Sequence, residues 1–355
     1  MEESFRSLIE SWNGLAVVFR HDAITGSWIF IALHDNTLGA PVGGTRLKKY
    51  ATPADGLLDA MRLAEGMTRK WAALGFDCGG GKGVLATPGP IEGEPREGLL
   101  RRYGQLVNAL RGGFSTGRDL GTTDADMVVL GSVTEHVHGV DREHGSVRDP
   151  GPYTAAGVLA AMRSTLNRLQ GSSDFADRRV LLQGVGAVGR PLSSLLVEAG
   201  ARVLLSDIDP ARAERLATEL GAEAIPADEV YSTECDIYAP CAVGATLNAR
   251  TIPQLRCRAV VGSANNQLAD DADAARLQER GILYAPDFIA NGGGALAFGL
   301  IHRGLHDDAE IQRRLRGIAD SLDDIYTRAA ERDLSPLEAA NDKVNRVLSG
   351  GKIRN

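Results

Sequence analysis

With 355 residues, 43% of them hydrophobic and 24% charged, the chain is too long for one ordinary core and too apolar for disorder, so two globular domains are expected. Its net charge of -7 argues against nucleic acid as a partner, because phosphate backbones are held by clustered excess Lys and Arg. The acidic opening Met1-Glu2-Glu3-Ser4 and the lack of an apolar run near ~18 residues speak against a signal peptide and a membrane span, so a cytoplasmic protein is expected.

In chain order, Leu15 to Phe19 and Ser27 to Leu33 read as strands of a hairpin around Asp22-Ala23-Ile24-Thr25-Gly26. Thr52-Pro53 then supplies an N-cap and first turn for a helix in which Leu57, Met61, Ala64, Thr68 and Trp71 recur at spacings of about three and four. Lys70 falls near the end of this helix, and Lys82 closes the run Gly79-Gly80-Gly81-Lys82. Both lysines sit in apolar and glycine-rich sequence, where burial would push an ammonium toward losing its proton, the way a lysine becomes a base near neutral pH. Asp119, in Phe114-Ser115-Thr116-Gly117-Arg118-Asp119, adds an acid that could carry protons beside them. The plainer reading is two surface lysines and a loop aspartate bonded to its own turn.

From Gly151 the rhythm becomes helix and strand in alternation. A helix over Tyr153 to Leu169 precedes strands at Arg179 to Gln183, Arg202 to Ser206, Ala222 to Ile225, Asp236 to Ala239, Ala259 to Gly262 and Ile282 to Ala285, the pattern of a parallel sheet covered by helices. Gly184-Val185-Gly186-Ala187-Val188-Gly189 follows the first of these strands and opens a helix over Pro191 to Ala199. Asp207, followed by Ile208, ends the next strand. Strand, glycines, helix, strand and acid in this order predict a dinucleotide site, with pyrophosphate at the helix N-terminus. Asp207 would accept from a ribose 2′-hydroxyl and repel a 2′-phosphate, which favours NAD over NADP, with Arg212 and Arg215 as opposing charges. The four cysteines, Cys78, Cys235, Cys241 and Cys257, show no C-x-x-C spacing and are expected to be reduced; no metal site is expected.

Val42-Gly43-Gly44-Thr45-Arg46, Met67-Thr68-Arg69-Lys70, Gly79-Gly80-Gly81-Lys82, Gly117-Arg118-Asp119 and Asn291-Gly292-Gly293-Gly294 together resemble the family of glutamate, leucine, phenylalanine and valine dehydrogenases, nearest its leucine and phenylalanine branch. The resemblance spans nearly the whole chain. It implies an α/β protein with a mixed-sheet substrate and oligomerisation domain over residues 1–142, on which 330–355 packs back. A Rossmann-like NAD domain over 143–329 and an active-site cleft between the two are implied with it. The implied reaction is reversible oxidative deamination of an L-amino acid to the 2-oxo acid, ammonium and NADH by a homo-oligomer.

By the same resemblance Lys70 binds the substrate carboxylate, Lys82 is the base that activates water, and Asp119 handles protons. Thr154, Ala242 and Asn266 are implied near the cofactor, and Gly43, Gly44 and Asn291 near the substrate. Val42 stands where glutamate-specific members carry a lysine, and an apolar wall cannot neutralise a second carboxylate, so an apolar side chain is expected. Gly117 and Ala295 leave room and Phe298 offers an aromatic wall, which favours phenylalanine slightly over leucine or valine. The glycine run Gly292-Gly293-Gly294 is expected to loosen the loop beneath the substrate. The alternative is a catalytically silent NAD-binding sensor on the same scaffold, which would have no need of a base.

Overall fold

The computed structural model describes residues 2–141, 146, 147 and 149–351. Its first part contains α1 (Glu2–Trp12), β1 (Ala16–Asp22), β2 (Ser27–Asp35), β3 (Pro41–Lys49), α2 (Pro53–Leu74), β4 (Gly79–Thr87), α3 (Gly93–Ala109), β5 (Ser115–Arg118) and α4 (Asp124–Gly131). A short antiparallel ribbon, β6 (Val140–Asp141) with β7 (Ser146–Val147), follows. The second part runs α5 (Pro150–Gln170), β8 (Arg179–Gln183), α6 (Gly189–Glu198), β9 (Arg202–Ser206), α7 (Pro210–Leu220), β10 (Glu223–Ala224), β11 (Ile237–Pro240), β12 (Ala259–Val260), α8 (Ala272–Glu279) and β13 (Leu283–Tyr284). Five helices close it: α9 (Asp287–Ala290), α10 (Gly293–His302), α11 (Asp308–Leu315), α12 (Gly317–Arg332) and α13 (Pro336–Gly351).

The chain forms two compact units, one of residues up to Asp149 together with the chain from Arg346, the other Pro150–Asn345. The boundary expected between 142 and 143 lies outside the described residues. Most of the expected return segment 330–355 groups with the second unit instead. Just ahead of that segment, Ser164 Oγ donates to Asp323 at 2.6 Å and Thr165 Oγ1 pairs with the Tyr326 hydroxyl at 2.8 Å, tying α12 to α5.

In the first unit the sheet order is β1-β2-β4-β3-β5. It is mixed: β1 and β2 form the expected antiparallel hairpin, β4 adds antiparallel to β2, and β3 runs parallel to both β4 and β5. Strand alternation gives it two dry faces. Ile29, Ile31 and Leu85 join Leu99, Leu100, Tyr103 and Phe114 on one, while Phe30, Ala32, Val84 and Ala86 meet Trp12, Ala60, Met61 and Ala64 on the other. α2 starts as its sequence dictates, with the Thr52 side chain accepting from Asp55 N and Asp55 reaching back to Thr52 N, a capping box ahead of Pro53. Gly75, at φ 69°, ends it in the left-handed region.

The second unit carries six parallel strands in the order β10-β9-β8-β11-β12-β13, the doubly wound arrangement whose order reverses at β8. The long apolar runs at β8 and β9 form strands with the expected bounds, because both are buried from both faces. Among the described residues, no helix is long and apolar enough to cross a membrane.

Candidate active site

Glycine lets α2, β3 and β4 approach closely enough to bring the chemical groups together. Every residue of β4 is buried. A β-carbon at Gly80 would lie 2.0 Å from Thr68 Oγ1 and 2.4 Å from Ala64 O on α2, and one at Gly43 would lie 1.7 Å from Gly81 O. Strand alternation puts Lys82 on the same face as Gly80 and Val84, toward α2. Lys70 is buried on that helix, and the next residue, Trp71, donates from Nε1 to Val42 O at 3.0 Å, fixing the end of α2 against β3.

Asp119 follows β5 in a loop held against β3. Its backbone N–H donates to Thr122 Oγ1 at 3.0 Å, and that hydroxyl is 3.1 Å from Thr45 O. Thr45 Oγ1 in turn meets Thr116 Oγ1 at 2.6 Å and the Tyr103 hydroxyl at 2.8 Å, a buried hydroxyl cluster pinning β3, β5 and α3 together. Gly44 permits the approach, since a β-carbon there would sit 2.8 Å from Asp119 Cβ.

The result is a compact charge cluster. Lys82 Nζ donates to Asp119 Oδ2 at 2.7 Å, and Arg46 Nε reaches the same oxygen at 3.2 Å. Arg46 Nη1 donates to Asp59 Oδ2 at 2.8 Å, which also accepts from the Tyr50 hydroxyl at 2.6 Å. The Lys82 side chain is 5% exposed, Arg46 12% and Asp119 20%, so the carboxylate is the member of the three most open to a reactant. Burial pushes the Lys82 ammonium below its ordinary range, the Arg46 charge adds to this, and Asp119 opposes it. Burial works to raise the Asp119 carboxyl, but Lys82 and Arg46 outweigh it and hold it well below the usual range. The expected constellation of Lys82 and Asp119 therefore forms, with Lys70 on the helix that packs against the Lys82 strand. Arg46, Asp59 and Tyr50 were not singled out from sequence, although Arg46 lies in the quoted Gly43-Gly44 segment.

Val42 and Gly44 are partly exposed on β3, while Gly117 is buried on β5, with its missing β-carbon at ordinary contact distance, 3.6 Å, from His138 Cβ. In the second unit Asn291 is buried, and its Nδ2 donates to Asn265 Oδ1 at 2.9 Å and to Ser263 O at 3.2 Å. Its Oδ1 is buried with no hydrogen-bond partner among the described residues, an acceptor left open. Asn265 thus makes the side-chain contact with Asn291; Asn266 takes a left-handed turn, φ 51°, and neither asparagine adjoins the start of α8. Phe298 is buried and Ala295 partly exposed on α10. The glycine run is no loosened loop: Gly293 and Gly294 open α10, where a β-carbon at Gly293 would meet Tyr153 O at 2.2 Å and one at Gly294 would meet Thr154 Oγ1 at 2.5 Å. The glycines are there because α10 packs backbone to backbone on α5.

The Gly184–Gly189 turn is tight at its ends and open at its middle. Gly184, at φ 102°, turns beside Ala242, whose Cβ would lie 2.7 Å from an added β-carbon. A β-carbon at Gly189 would strike Gly184 O at 2.0 Å, whereas one at Gly186 meets nothing within 4 Å, leaving an open cradle at the start of α6. Val185 is buried, and Ala187 and Val188 complete the turn into α6. Asp207 Oδ2 accepts from Val185 N at 2.9 Å, while Oδ1 accepts from Asp209 N at 3.0 Å and from Arg212 Nη1 at 3.5 Å, so Oδ2 is the oxygen that keeps a lone pair for a hydroxyl. Ile208 beside it is 95% exposed. Thr154 Oγ1 donates to Pro150 O at 2.9 Å and can still accept. Among the described residues, no group of three or more His, Cys, Asp or Glu is placed to hold a metal ion.

Comparison with known proteins meets this geometry. A model described as Glu/Leu/Phe/Val dehydrogenase, dimerisation domain, matches residues 20–136, and one described as Glutamate/Leucine/Phenylalanine/Valine dehydrogenase matches residues 205–348. The chain is 38% identical over 348 residues to a phenylalanine dehydrogenase of Lysinibacillus sphaericus, covering 97% of this chain and 91% of that one. It is 37% identical over 340 residues to a leucine dehydrogenase of Geobacillus stearothermophilus, covering 95% and 90%. The solved L-tryptophan dehydrogenase from Nostoc punctiforme superposes with a TM-score of 0.80 at 32% identity, covering 98% of this chain and 99% of that one.

Proposed function

This chain belongs to the glutamate/leucine/phenylalanine/valine dehydrogenase family and is an amino-acid dehydrogenase, and on that premise we propose that it oxidatively deaminates an apolar L-amino acid with NAD, phenylalanine ahead of leucine and valine. The observation that carries the reading is the buried Lys82 ammonium 2.7 Å from Asp119 Oδ2. In this reading Lys70 grips the substrate α-carboxylate and Asp119 takes the proton of the α-ammonium. Bound NAD would supply the acceptor for the hydride that leaves Cα. Lys82, neutral at that stage, takes a proton from the water that adds to the iminium carbon; Asp119 returns its proton to the amine, the C–N bond breaks as the carbinol O–H passes its proton to the leaving ammonia, and Lys82 sheds its proton to solvent. The products are the 2-oxo acid and ammonium.

Supporting the cofactor are the open Gly186 cradle and the Asp207 carboxylate, which would hold a ribose hydroxyl and repel a 2′-phosphate. The orphaned Asn291 Oδ1 offers an acceptor to an N–H of substrate or cofactor. Val42 supplies no charge for a second carboxylate. Two of the similar proteins carry aromatic amino acids in their names. The match of residues 20–136 to a dimerisation domain supports assembly of identical subunits through that part.

The test is NADH formation by purified protein against a panel of L-amino acids. We expect kcat/KM for phenylalanine to exceed leucine and valine several-fold, and glutamate to trail by about 10²-fold or more, because its second carboxylate would be buried unpaired. NAD should be preferred to NADP by at least about tenfold, ~1.4 kcal/mol. Leucine or valine ahead of phenylalanine would overturn the side-chain assignment, and comparable turnover of glutamate would overturn the apolar pocket.

A further inference from the structure

Proton transfer from the Lys82–Asp119 pair raises a difficulty that the pair alone does not solve. A buried ammonium bound to a buried carboxylate is stabilised as an ion pair, and taking its proton away leaves the carboxylate charge uncompensated. A lysine so placed is a poor base. Yet Asp119 Oδ2 is shared: Lys82 Nζ lies 2.7 Å from it and Arg46 Nε 3.2 Å. Arg46 stays charged at any working pH. Its presence means that a neutral Lys82 still leaves Asp119 beside a cation.

Arg46 is itself held. Its Nη1 donates to Asp59 Oδ2 at 2.8 Å, and the other Asp59 oxygen accepts from Arg62 at 3.1 Å. The Tyr50 phenol, pushed up by burial and by Asp59, remains an O–H donor to the same carboxylate. The groups around Lys82 are thus Asp119 from the loop after β5, Arg46 from β3 and Asp59 from α2. Tyr50 and the half-exposed Arg62 stand behind them, and Lys70 is buried further along α2.

We propose that Arg46 is a positioning residue that shares Asp119 Oδ2 with Lys82 and so frees Lys82 to act as a neutral base, with Asp59 anchoring Arg46 in that role. The proposal rests on the reading of Lys82 as the base. It assigns opposite effects to the two ends of the relay. Removing the Arg46 charge concentrates Asp119 on Lys82 and keeps Lys82 protonated to higher pH. Removing the Asp59 charge leaves the cluster more positive and releases the Lys82 proton at lower pH.

The experiment is the pH profile of kcat/KM with NAD and L-phenylalanine for wild type, Arg46→Met, Arg46→Lys, Asp59→Asn and Lys82→Ala. The rate rises with pH as Lys82 loses its proton. In Arg46→Met this limb should move up by about one pH unit or more, with about a tenfold loss at neutral pH that recovers at high pH. Arg46→Lys should restore most of the wild-type limb, and Asp59→Asn should move it down. A merely structural Arg46 would lower the rate equally at every pH and leave the limb in place. If Arg46→Met does not fold, limbs of Arg46→Lys and Asp59→Asn that both coincide with wild type overturn the proposal. Loss of activity in Lys82→Ala with unmoved limbs in the others refutes Arg46 alone, whereas wild-type activity in Lys82→Ala refutes the base reading beneath it.

Discussion

Lys82→Ala should lower kcat by about 10³-fold or more while leaving NAD binding unchanged. The loss follows from the environment. The Lys82 side chain is 5% exposed, in a strand buried along its whole length, so bulk water is a poor substitute for the amine. Alanine keeps the strand and removes only the amine. Asp119 retains Arg46 as its cation, so the carboxylate is not orphaned and the fold should survive. KM for the amino acid should change only a few-fold, because the carboxylate contact assigned to Lys70 is untouched. Small primary amines added to the variant should restore part of the rate, more as the pH rises and the free amine accumulates. Steady-state NADH formation reads all of this, and turnover near wild type would remove Lys82 from the mechanism.

The second large effect is steric. Gly80→Ala should destabilise the protein by about 3 kcal/mol, at the upper end of overpacking costs. The new β-carbon would lie 2.0 Å from Thr68 Oγ1 and 2.4 Å from both Ala64 O and Thr68 N. Two of these are helix backbone, which cannot rotate away, so α2 must shift from β4. That helix carries Asp59, Lys70 and Trp71, and the strand carries Lys82, so activity should fall with stability. Gly66→Ala, on the same helix, should do the reverse. A β-carbon there meets nothing within 4 Å, and replacing a helix-interior glycine stabilises by about 0.5–1 kcal/mol. Urea midpoints of the two variants on opposite sides of wild type would confirm that the crowding belongs to the β4 contact. A Gly80→Ala midpoint equal to wild type would contradict it.

Local signals in the chain were enough for much of the fold. Thr52-Pro53 forms the cap it encodes, and the apolar runs at Arg179–Gln183 and Arg202–Ser206 form strands with those limits, because capping and burial act over a few residues. Lys82 and Asp119 were legible as chemistry because amine and acid stood in glycine-rich, apolar settings. The partners that complete them were not. Arg46 contacts Asp59, 13 positions away, and Asp119, 73 positions away, and nothing in local periodicity marks a strand arginine as buried between two acids. The glycines tell the same story. Gly292-Gly293-Gly294 read as a loose loop, and nothing in the sequence marked Gly43 or Gly80 as packing positions, yet Gly43, Gly80, Gly293 and Gly294 admit neighbouring backbone or side chains where a β-carbon would collide. Such contacts are fixed by tertiary packing and carry no sequence period.

The most direct test of the account is the fate of the hydrogen on the substrate α-carbon. Purified protein would be given NAD and L-phenylalanine deuterated at Cα, and the reduced cofactor, the 2-oxo acid and ammonium would be quantified with isotope analysis by mass spectrometry. The account predicts deuterium in the reduced cofactor, with one 2-oxo acid and one ammonium formed for each cofactor reduced. Deuterium released to water, or 2-oxo acid formed without cofactor reduction, would contradict it.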